Sequence, residues 1–276
     1  MDFGIVAKPG LPRAMEASRR VLNFLRGRRG VGRVQVEASL ARGLRTEGVP
    51  LQRMRADVIV TIGGDGTVLK ALQEARGRVF AVNAGVLGFL TEVPIDGVIP
   101  GLKRILRGEY IVERRLRLRT DLDGRRLPDS TNEAVVHTSA TSKMRHYRIF
   151  LSDQLVDDVR ADGVIVATPT GSTCYAMSAG GPILDPSVAA FVIVPLAPFK
   201  LSSRAFVVPS DRRISVALMD DKPSTLVLDG QHETPLPPGS RVEFSASESP
   251  AEFIRFAPDF YARLREKLSH DPCIER

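Results

Sequence analysis

The feature that most constrains this chain is a strand, a glycine turn and a helix in direct succession. Residues 58–62 form the apolar run VIVTI, residues 63–66 form the turn GGDG, and residues 67–76 have helical spacing. Glycine has no side chain, so the backbone of this turn is open to a phosphate or a ribose. Asp65 is the one residue of this turn with a side chain, and its carboxylate would face such a ligand.

This turn differs from two familiar nucleotide-binding loops. No Lys-Ser or Lys-Thr pair follows the last glycine, as in a P-loop, and the spacing is not the G-x-G-x-x-G of a dinucleotide fingerprint. An acid in such a turn repels a phosphate unless it acts as a base, binds a hydroxyl or holds a metal. The alternative is that the glycines only shape the turn while Asp65 caps the helix. The turn by itself leaves both readings open.

Strands and helices alternate in the first part of the chain. Apolar runs mark strands at 2–8, 56–62 and 78–83, and helical spacing occurs at 12–28, 67–76 and 97–108. This alternation predicts an α/β domain with a parallel sheet over residues 1–113. Ligands of such sheets bind beyond the carboxyl ends of the strands, where the Asp65 turn would lie.

The pattern changes after residue 113 to short strands joined by connections rich in Asp, Gly, Pro and Ser. After an alternating run at 115–119, strand candidates recur at 132–138, 145–152, 155–159, 163–168, 190–195, 205–208, 213–219, 224–228 and 241–246. This spacing predicts a mainly antiparallel β-sandwich domain over residues 114–250. Residues 173–181 could open a short helix. Residues 258–268 have an apolar helical face that needs a surface to dock on.

Composition excludes several classes of protein. The 276 residues suffice for two domains, and 43% hydrophobic with 26% charged residues is typical of a soluble globular chain. No apolar run approaches the ~20 residues of a membrane span, and the N-terminus has no secretory pattern, so we expect a cytoplasmic protein without membrane association. Neither the cysteines nor the histidines have the spacing of a metal site: Cys174, Cys273, His137, His146, His232 and His270.

The net charge of +7 leaves anionic partners open. The densest basic stretch, residues 26–33, follows a helical segment and carries no aromatic side chains for base stacking. Nucleic acid is therefore not the expected partner, and a small, multiply charged anion fits the charge equally well.

A second candidate loop lies in the β domain, at residues 162–182. Its hydroxyls, glycines and free amides are groups that hold phosphates and riboses, and Tyr175 offers a ring for packing. The alternative is an ordinary turn rich in Ser and Thr. Two short motifs accompany it: Asn132-Glu133 at the start of a strand and Asp229-Gly230-Gln231 at the end of another. Each of these could also be a plain turn.

In combination these motifs resemble the NAD kinase family, also described as ATP- or polyphosphate-dependent NAD kinases. The matching segments occur in the expected order at 63–67, 83–92, 132–133, 162–182, 195–198 and 229–231. The first motif is shared with diacylglycerol kinases, sphingosine kinases and phosphofructokinases. The block T-G-S-T-x-Y-x-x-S-x-G-G-P is much more specific to NAD kinases.

The resemblance implies an activity and a fold. Such enzymes transfer a phosphoryl group from ATP or polyphosphate, with Mg²⁺ or another divalent cation, to the 2′-hydroxyl of the adenosine ribose of NAD. Asp65 would be the general base. The resemblance further implies that the C-terminal segment, residues 251–276, returns as a helix to the first domain. It also implies a homodimer or homotetramer with NAD and the phosphoryl donor as its partners.

The resemblance also implies ligand-binding residues. Gly66 and Lys70, the latter in the first turn of the helix, would lie near the dinucleotide or the transferring phosphate. Leu87 and Phe89 would pack on a ring, and Asn132 with Glu133 would hold adenine and ribose. The remaining candidates complete the polar surround, line the adenosine and phosphate region or lie at its edge: Lys143, Arg160, Asp162, Thr170, Thr173, Cys174, Tyr175, Ala176, Met177, Ser178, Ala197 and Gln231.

Structural alternatives exist for several of these residues. Phe89 could belong to the core, and Lys70 and Lys143 could be solvated. Arg160 could pair with Asp157 or Asp158. At the level of function, the alternatives are a lipid or sphingoid kinase, for which the sequence shows no membrane-seeking helix, and a non-enzymatic dinucleotide sensor. A sensor has little need for a carboxylate aimed at a reacting hydroxyl.

Overall fold

The computed structural model describes residues 1–85, 88–140, 143–257 and 260–269. The chain divides into two compact units. Unit 1 comprises Met1–Arg114 and Glu252–Arg276, and unit 2 comprises Arg115–Ala251.

Up to residue 115, strands and helices mostly follow one another in turn along the chain. The strands are β1 (Phe3–Ala7), β2 (Val34–Val36), β3 (Arg55–Gly63), β4 (Arg76–Asn83), β5 (Val93–Pro94) and β6 (Ile111–Arg115). The helices are α1 (Pro12–Leu25), α2 (Ala38–Leu44), α3 (Asp65–Glu74) and α4 (Val98–Leu106).

The following elements are mostly strands. They are β7 (Leu118–Leu122), β8 (Arg125–Arg126), β9 (Glu133–Thr138), β10 (Arg145–Leu151), β11 (Gln154–Ala161), β12 (Gly163–Ala167), α5 (Tyr175–Ser178), β13 (Ala190–Leu196), β14 (Phe206–Pro209), β15 (Ile214–Leu218), β16 (Ser224–Leu228), β17 (His232–Leu236), β18 (Arg241–Ala246), β19 (Ala251–Arg255) and α6 (Phe260–Ser269).

Unit 1 is built on a mainly parallel sheet with the strand order β2-β1-β3-β4-β19-β6. β1 pairs in parallel with β2 and β3, and β4 pairs in parallel with β3 and β19. Helices cover such a sheet on both faces, so its inner strands are mainly apolar where they are buried, as in the fully buried β1. Side chains of α1 and α4, including Val21, Leu25 and Leu102, pack against the strands in one core. This confirms the predicted α/β fold.

Unit 2 is a sandwich of two six-stranded sheets. One has the order β11-β10-β15-β18-β7-β8 and the other the order β14-β13-β12-β9-β16-β17. A single core joins them: Tyr147 and Phe244 from the first sheet lie in the same buried cluster as Val164 and Phe191 from the second. The spacing of short strands predicted this sandwich, and the structure confirms it.

The C-terminal segment returns to unit 1, as the resemblance implied. β19 pairs with β4 inside the first sheet, with Phe253 opposite Val79, and α6 follows it. Arg263 of α6 is buried and donates a hydrogen bond to Glu92 Oε2 at 3.3 Å. The segment therefore contributes a strand as well as the expected helix; residues 258–259, at the expected helix start, lie outside the described residues.

Several boundaries differ from the sequence predictions. α3 begins at Asp65, two residues earlier than the helical spacing indicated, so Lys70 lies in the second turn and not the first. The alternating run 115–119 is not one strand, because β6 ends at Arg115 and β7 begins at Leu118. α2, β2, β17 and β19 are elements that the sequence pattern missed. Within the described ranges, no helix has the length and apolar character needed to cross a membrane.

Candidate active site

In unit 1, Asp65 lies where β3 ends and α3 begins. The N-cap residue of α3 is Gly64, and no side chain caps the helix. The Asp65 carboxylate instead accepts two main-chain hydrogen bonds from the loop after β4: Phe89 N donates to Oδ2 at 2.8 Å, and Leu90 N donates to Oδ1 at 3.1 Å. The side chain is half-buried. Two amides thus fix the orientation of the carboxylate of a half-buried residue.

Close packing around Asp65 requires glycine both in the turn at the end of β3 and in the loop after β4. A Cβ atom at Gly88 would lie 1.9 Å from Asp65 Oδ1, and a Cβ at Gly63 would lie 2.3 Å from Thr67 Oγ1. Real Cβ atoms do not approach other heavy atoms so closely, so any side chain at Gly88 would displace the carboxylate. Gly88 therefore belongs to the machinery that holds Asp65, a role that the sequence pattern did not reveal.

Two of the other unit 1 candidates, Lys70 and Phe89, contact charged side chains of the protein. Lys70 Nζ forms an ion pair with Glu37 Oε1 at 3.1 Å, and the Glu37 side chain is only 6% exposed. Phe89 is half-buried, with Lys267 Nζ 4.4 Å from its ring centroid. Gly66 is exposed in the first turn of α3. Leu87 lies outside the described residues.

In unit 2, a cleft of about 600 Å³ gathers several of the predicted residues. Residues along β9 alternate: Ala134 and Val136 point into the sandwich core, whereas Glu133, Val135 and His137 line the cleft on the other face. The complete lining comprises Glu133, Val135, His137, Thr138, Ser139, Ala140, Asp162, Tyr175, Leu196, Ala197, Val227 and Gly230. Glu133, Asp162, Tyr175 and Ala197 are thus brought together from four separate sequence positions.

The rim of this cleft contains a strained backbone position. Ala197, directly after β13, has a φ of 43°, in the left-handed region that residues other than glycine rarely adopt. Such conformations persist where the surrounding structure imposes them, and they concentrate at ligand sites. The strain therefore coincides with a position that the resemblance places at the edge of the site.

Asp229 organises the Asn132-Glu133 turn. Its carboxylate accepts hydrogen bonds from three consecutive amides: from Thr131 N at 2.7 Å on Oδ2, and from Asn132 N at 2.7 Å and Glu133 N at 3.1 Å on Oδ1. Asp229 N in return donates to Glu133 O at 2.9 Å. Asp229 is only 4% exposed. A plain turn was the alternative that the sequence left open for this motif. The structure has that turn, between the paired strands β16 and β17, and it also shows that Asp229 supports the Asn132-Glu133 turn.

In the Asn132-Glu133 pair, one buried polar atom of each side chain has no partner among the described residues. Glu133 Oε2 and Asn132 Oδ1 accept no hydrogen bond from any described residue, although Asn132 Nδ2 donates to Cys174 Sγ at 3.4 Å. Burial raises the pKa of Glu133 to about 8, and the nearby negative charge of Asp229 contributes to that rise. At neutral pH the Glu133 carboxyl is therefore mainly protonated and can donate one hydrogen bond as well as accept others. Unsatisfied buried groups of this kind are available to a bound ligand.

The hydroxyl-rich loop packs against the same turn. Thr168 Oγ1 donates to Thr131 O at 2.6 Å, and a Cβ at Gly171 would lie 2.1 Å from Asn132 O. Ser172 Oγ donates to Pro169 O at 2.7 Å, and Thr173 Oγ1 donates to Thr170 O at 3.1 Å. Several hydroxyls that the sequence suggested for phosphate or ribose thus stabilise the loop itself.

The remaining candidates differ in exposure. Thr170, Thr173 and Ala176 are buried, Cys174 and Met177 are half-buried, and Lys143, Arg160, Ser178 and Gln231 are exposed. Asp158 pairs with Arg148 and His146, and Asp157 accepts a hydrogen bond from Ser203, so these acids have partners other than the proposed Arg160. Among the described residues, no three His, Cys, Asp or Glu side chains group closely enough to hold a metal ion.

Comparisons with known proteins cover nearly the whole chain. Residues 3–110 match the family model of the ATP-NAD kinase N-terminal domain, and residues 131–256 match that of the ATP-NAD kinase C-terminal domain. An NAD kinase from Methanothermobacter thermautotrophicus is 43% identical over 275 residues, which cover 97% of this chain and 96% of that protein.

Two solved structures share the fold. Yeast NADH kinase complexed with NADH has a TM-score of 0.90 at 24% identity, over 98% of this chain and 88% of that one. An NAD kinase from Archaeoglobus fulgidus in complex with ATP has a TM-score of 0.77 at 28% identity, over 98% of this chain and 100% of that one.

Proposed function

Since this chain belongs to the NAD kinase family, we propose that ATP is its phosphoryl donor and Asp65 its general base. NAD kinase activity itself follows from the relatives, which match over nearly the full length. The acceptor in this proposal is the 2′-hydroxyl of the adenosine ribose of NAD, and the product is NADP.

The observation that carries the proposal is the Asp65 carboxylate, which two amides orient at the carboxyl end of β3. Phosphoryl transfer depends mostly on positioning and charge stabilisation. Asp65 aligns the ribose hydroxyl and accepts its proton while a bond forms between that oxygen and the γ-phosphorus of ATP. The bond from the γ-phosphorus to the bridging oxygen breaks, and ADP leaves with that electron pair.

We assign the adenosine half of NAD to the unit 2 cleft. The unpartnered Glu133 Oε2 and Asn132 Oδ1 suit the hydroxyl and amino groups of ribose and adenine, and the partly exposed ring of Tyr175 suits stacking. Asp162 and Ala197 complete the lining. A volume of about 600 Å³ is within the usual range for pockets that bind molecules of nucleoside size.

ATP is favoured over polyphosphate because the NAD kinase from Archaeoglobus fulgidus, 28% identical, was solved in complex with ATP. Mg²⁺ usually binds through one or two carboxylates and substrate phosphates. Among the described residues, no three His, Cys, Asp or Glu side chains lie close enough to bind a metal ion. This arrangement fits a cation that binds together with the phosphates of the donor better than one that is coordinated by the protein alone. Bound in that way, the cation would neutralise charge on the donor's phosphates.

The decisive experiment incubates the purified protein with NAD, Mg²⁺ and either ATP or polyphosphate, and follows NADP. We expect NADP with ATP, and a large loss of kcat in Asp65→Asn. If polyphosphate alone supports turnover, the donor assignment is wrong. Unchanged kcat in Asp65→Asn would remove this residue from its role as base.

We also propose that the protein is a homodimer or homotetramer. Large apolar side chains are strongly exposed in unit 2, with Phe199 at 77% and Leu201 at 86% exposure. Exposed apolar groups of this size are typical of contact surfaces. Light scattering on the purified protein measures the mass directly, and a mass of one chain would contradict this assignment.

A further inference from the structure

Glu92 connects the loop that holds Asp65 to the C-terminal segment. Its side chain is only 5% exposed. Oε1 accepts a hydrogen bond from Phe256 N at 2.7 Å, and Oε2 accepts hydrogen bonds from Arg255 Nη1 at 3.0 Å and from Arg263 Nη2 at 3.3 Å. Two buried arginines, Arg255 at the end of β19 and Arg263 in α6, thus share one buried carboxylate.

Arg255 also contacts the loop backbone directly. Its Nη1 donates to Leu90 O at 3.1 Å, while its Nε donates to Glu113 Oε2 at 2.7 Å. The amide of Leu90 is one of the two donors that hold Asp65. Leu90 is therefore fixed at both ends: its N–H bonds to the Asp65 carboxylate, and its carbonyl bonds to Arg255.

The second donor to Asp65 is also contacted by the C-terminal segment. Lys267 of α6 places Nζ 4.4 Å from the centroid of the Phe89 ring, which is within the range of a cation–π interaction. Phe89 and Leu90 both lie in a loop without regular secondary structure. The positions of their amides therefore depend on side-chain contacts of this kind.

We propose that Arg255 and Arg263 are positioning residues, which act through the loop 88–92 on the Asp65 carboxylate. This inference rests on the proposed role of Asp65 as general base. The arginines do not contact substrate in this scheme. They hold the loop so that its two amides keep the carboxylate aligned with the attacking hydroxyl, and a displacement of ~1 Å at a reacting group can lower the rate about 100-fold.

The experiment measures kcat and KM for NAD and ATP in Arg255→Lys and Arg263→Ala. Lysine keeps the charge of Arg255, but its ammonium cannot reproduce the guanidinium fork that spans Glu113, Glu92 and Leu90. We expect kcat to fall by about 10- to 100-fold in Arg255→Lys, with both KM values within about twofold of wild type. Arg263→Ala should show the same split to a lesser degree, and Arg263→Lys should restore part of the lost kcat.

A matched control separates positioning from general weakening of unit 1. Arg114→Ala removes the ion pair of 3.0 Å between Arg114 and Glu252 of β19, on the exposed surface of the same segment. It should leave kcat and both KM values unchanged. The Tm of both variants is measured alongside their kinetics. If the two variants have the same Tm and Arg114→Ala lowers kcat as much as Arg255→Lys does, the loss reflects general weakening of unit 1, and the inference is wrong.

A double-mutant cycle tests whether the arginine acts through Asp65. In an Asp65→Asn background, Arg255→Lys should cause little further loss of the residual kcat, because the group that it positions is already inactive. Multiplicative losses, or an unchanged kcat in both arginine variants, would overturn the inference while Asp65 remained the base. Full activity of Asp65→Asn alone would instead overturn the proposed function, and the inference with it.

Discussion

Asp65 in unit 1 and Asp229 in unit 2 both accept hydrogen bonds from main-chain amides that are distant in sequence, but they differ in burial. Asp65 bonds to two amides 24 and 25 residues away and is half-buried. Asp229 bonds to three amides 96 to 98 residues away and is only 4% exposed. The two carboxylates thus have similar partners in different surroundings.

Burial separates the roles of these two acids more clearly than the number of hydrogen bonds does. The Asp65 carboxylate is oriented by amides in a residue that is only half-buried, which suits the general base that we propose. The carboxylate of Asp229 is enclosed; burial raises its pKa, and the three amides oppose that rise. Asp229 therefore holds the turn that carries Asn132 and Glu133, and it does not face the cleft itself.

The largest expected effect is on catalysis, at Asp65. Asp65→Asn should lower kcat by about 10²- to 10⁴-fold, the usual contribution of a general base, because an amide cannot take the hydroxyl proton. Its Tm should change little, since a half-buried asparagine still offers one oxygen to an amide. Steady-state kinetics and calorimetry on the same preparation measure both quantities. A large fall in Tm with unchanged kcat would reverse the assignment of the two aspartates.

The next effect concerns Asp229 and should appear mainly in stability. Asp229→Ala leaves three buried amides without their acceptor, so we expect a loss of about 3–5 kcal/mol in the free energy of unfolding. KM for NAD should rise as the Asn132-Glu133 turn loosens. Urea unfolding and NAD titration test this pair of changes. Asp123→Ala is the control, because Asp123 accepts one amide hydrogen bond from Arg241 at an exposed turn.

An Asp229→Ala protein with the stability and the NAD affinity of wild type would show that the turn holds its shape without this carboxylate. Asp229 would then have no structural role to set against the proposed catalytic role of Asp65.

How far the sequence predicts this fold depends on the range of the interactions involved. β9 and β16 were predicted nearly to the residue, because each is a short run rich in apolar and β-branched residues between turn-forming connections. β17 was missed because its segment, HETPL, contains a proline and charged residues. β19 was missed because it joins a sheet whose other strands precede it by more than a hundred residues.

The same limit applies to the candidate site. Asp65 and the Asn132-Glu133 pair were recognised from local motifs. The holding role of Asp229 and the need for glycine at 88 were not, since each depends on an atom that only folding brings close. Local patterns therefore singled out candidates for ligand contact, whereas the groups that support those candidates became visible only in the structure.

A smaller effect on catalysis is expected at Gly88. Gly88→Ala would place Cβ about where Asp65 Oδ1 now lies, at 1.9 Å, so the carboxylate must move away from its amide donors. We expect kcat to fall by about 10- to 100-fold, less than in Asp65→Asn because the base is displaced and not removed. Gly85→Ala is a matched control in the same loop, because a Cβ there meets no atom within 4 Å. Equal kcat in Gly88→Ala and Gly85→Ala would contradict the close packing.

The smallest effect is a pH dependence of stability that comes from Glu133. Burial raises the pKa of Glu133 to about 8 in the folded protein, against 4.5 as its ordinary value. Between these values the unfolded chain releases the proton and the folded protein keeps it, so stability falls as the pH rises and levels off above pH 8. At roughly 1.4 kcal/mol per pKa unit, the loss between pH 6 and 8 is about 2 kcal/mol.

Glu133→Gln keeps the shape of a neutral carboxyl and cannot ionise, so its stability should decline less than that of wild type over the same range. Glu233→Gln, which replaces an exposed glutamate of β17, should follow the wild-type curve. Urea unfolding at pH 6, 7 and 8 compares the three proteins. Parallel curves for wild type and Glu133→Gln would mean that Glu133 is ionised in the folded protein at neutral pH. Glu133 would then be a charged neighbour of the buried Asp229, where the pKa of about 8 indicates a neutral hydrogen-bond donor.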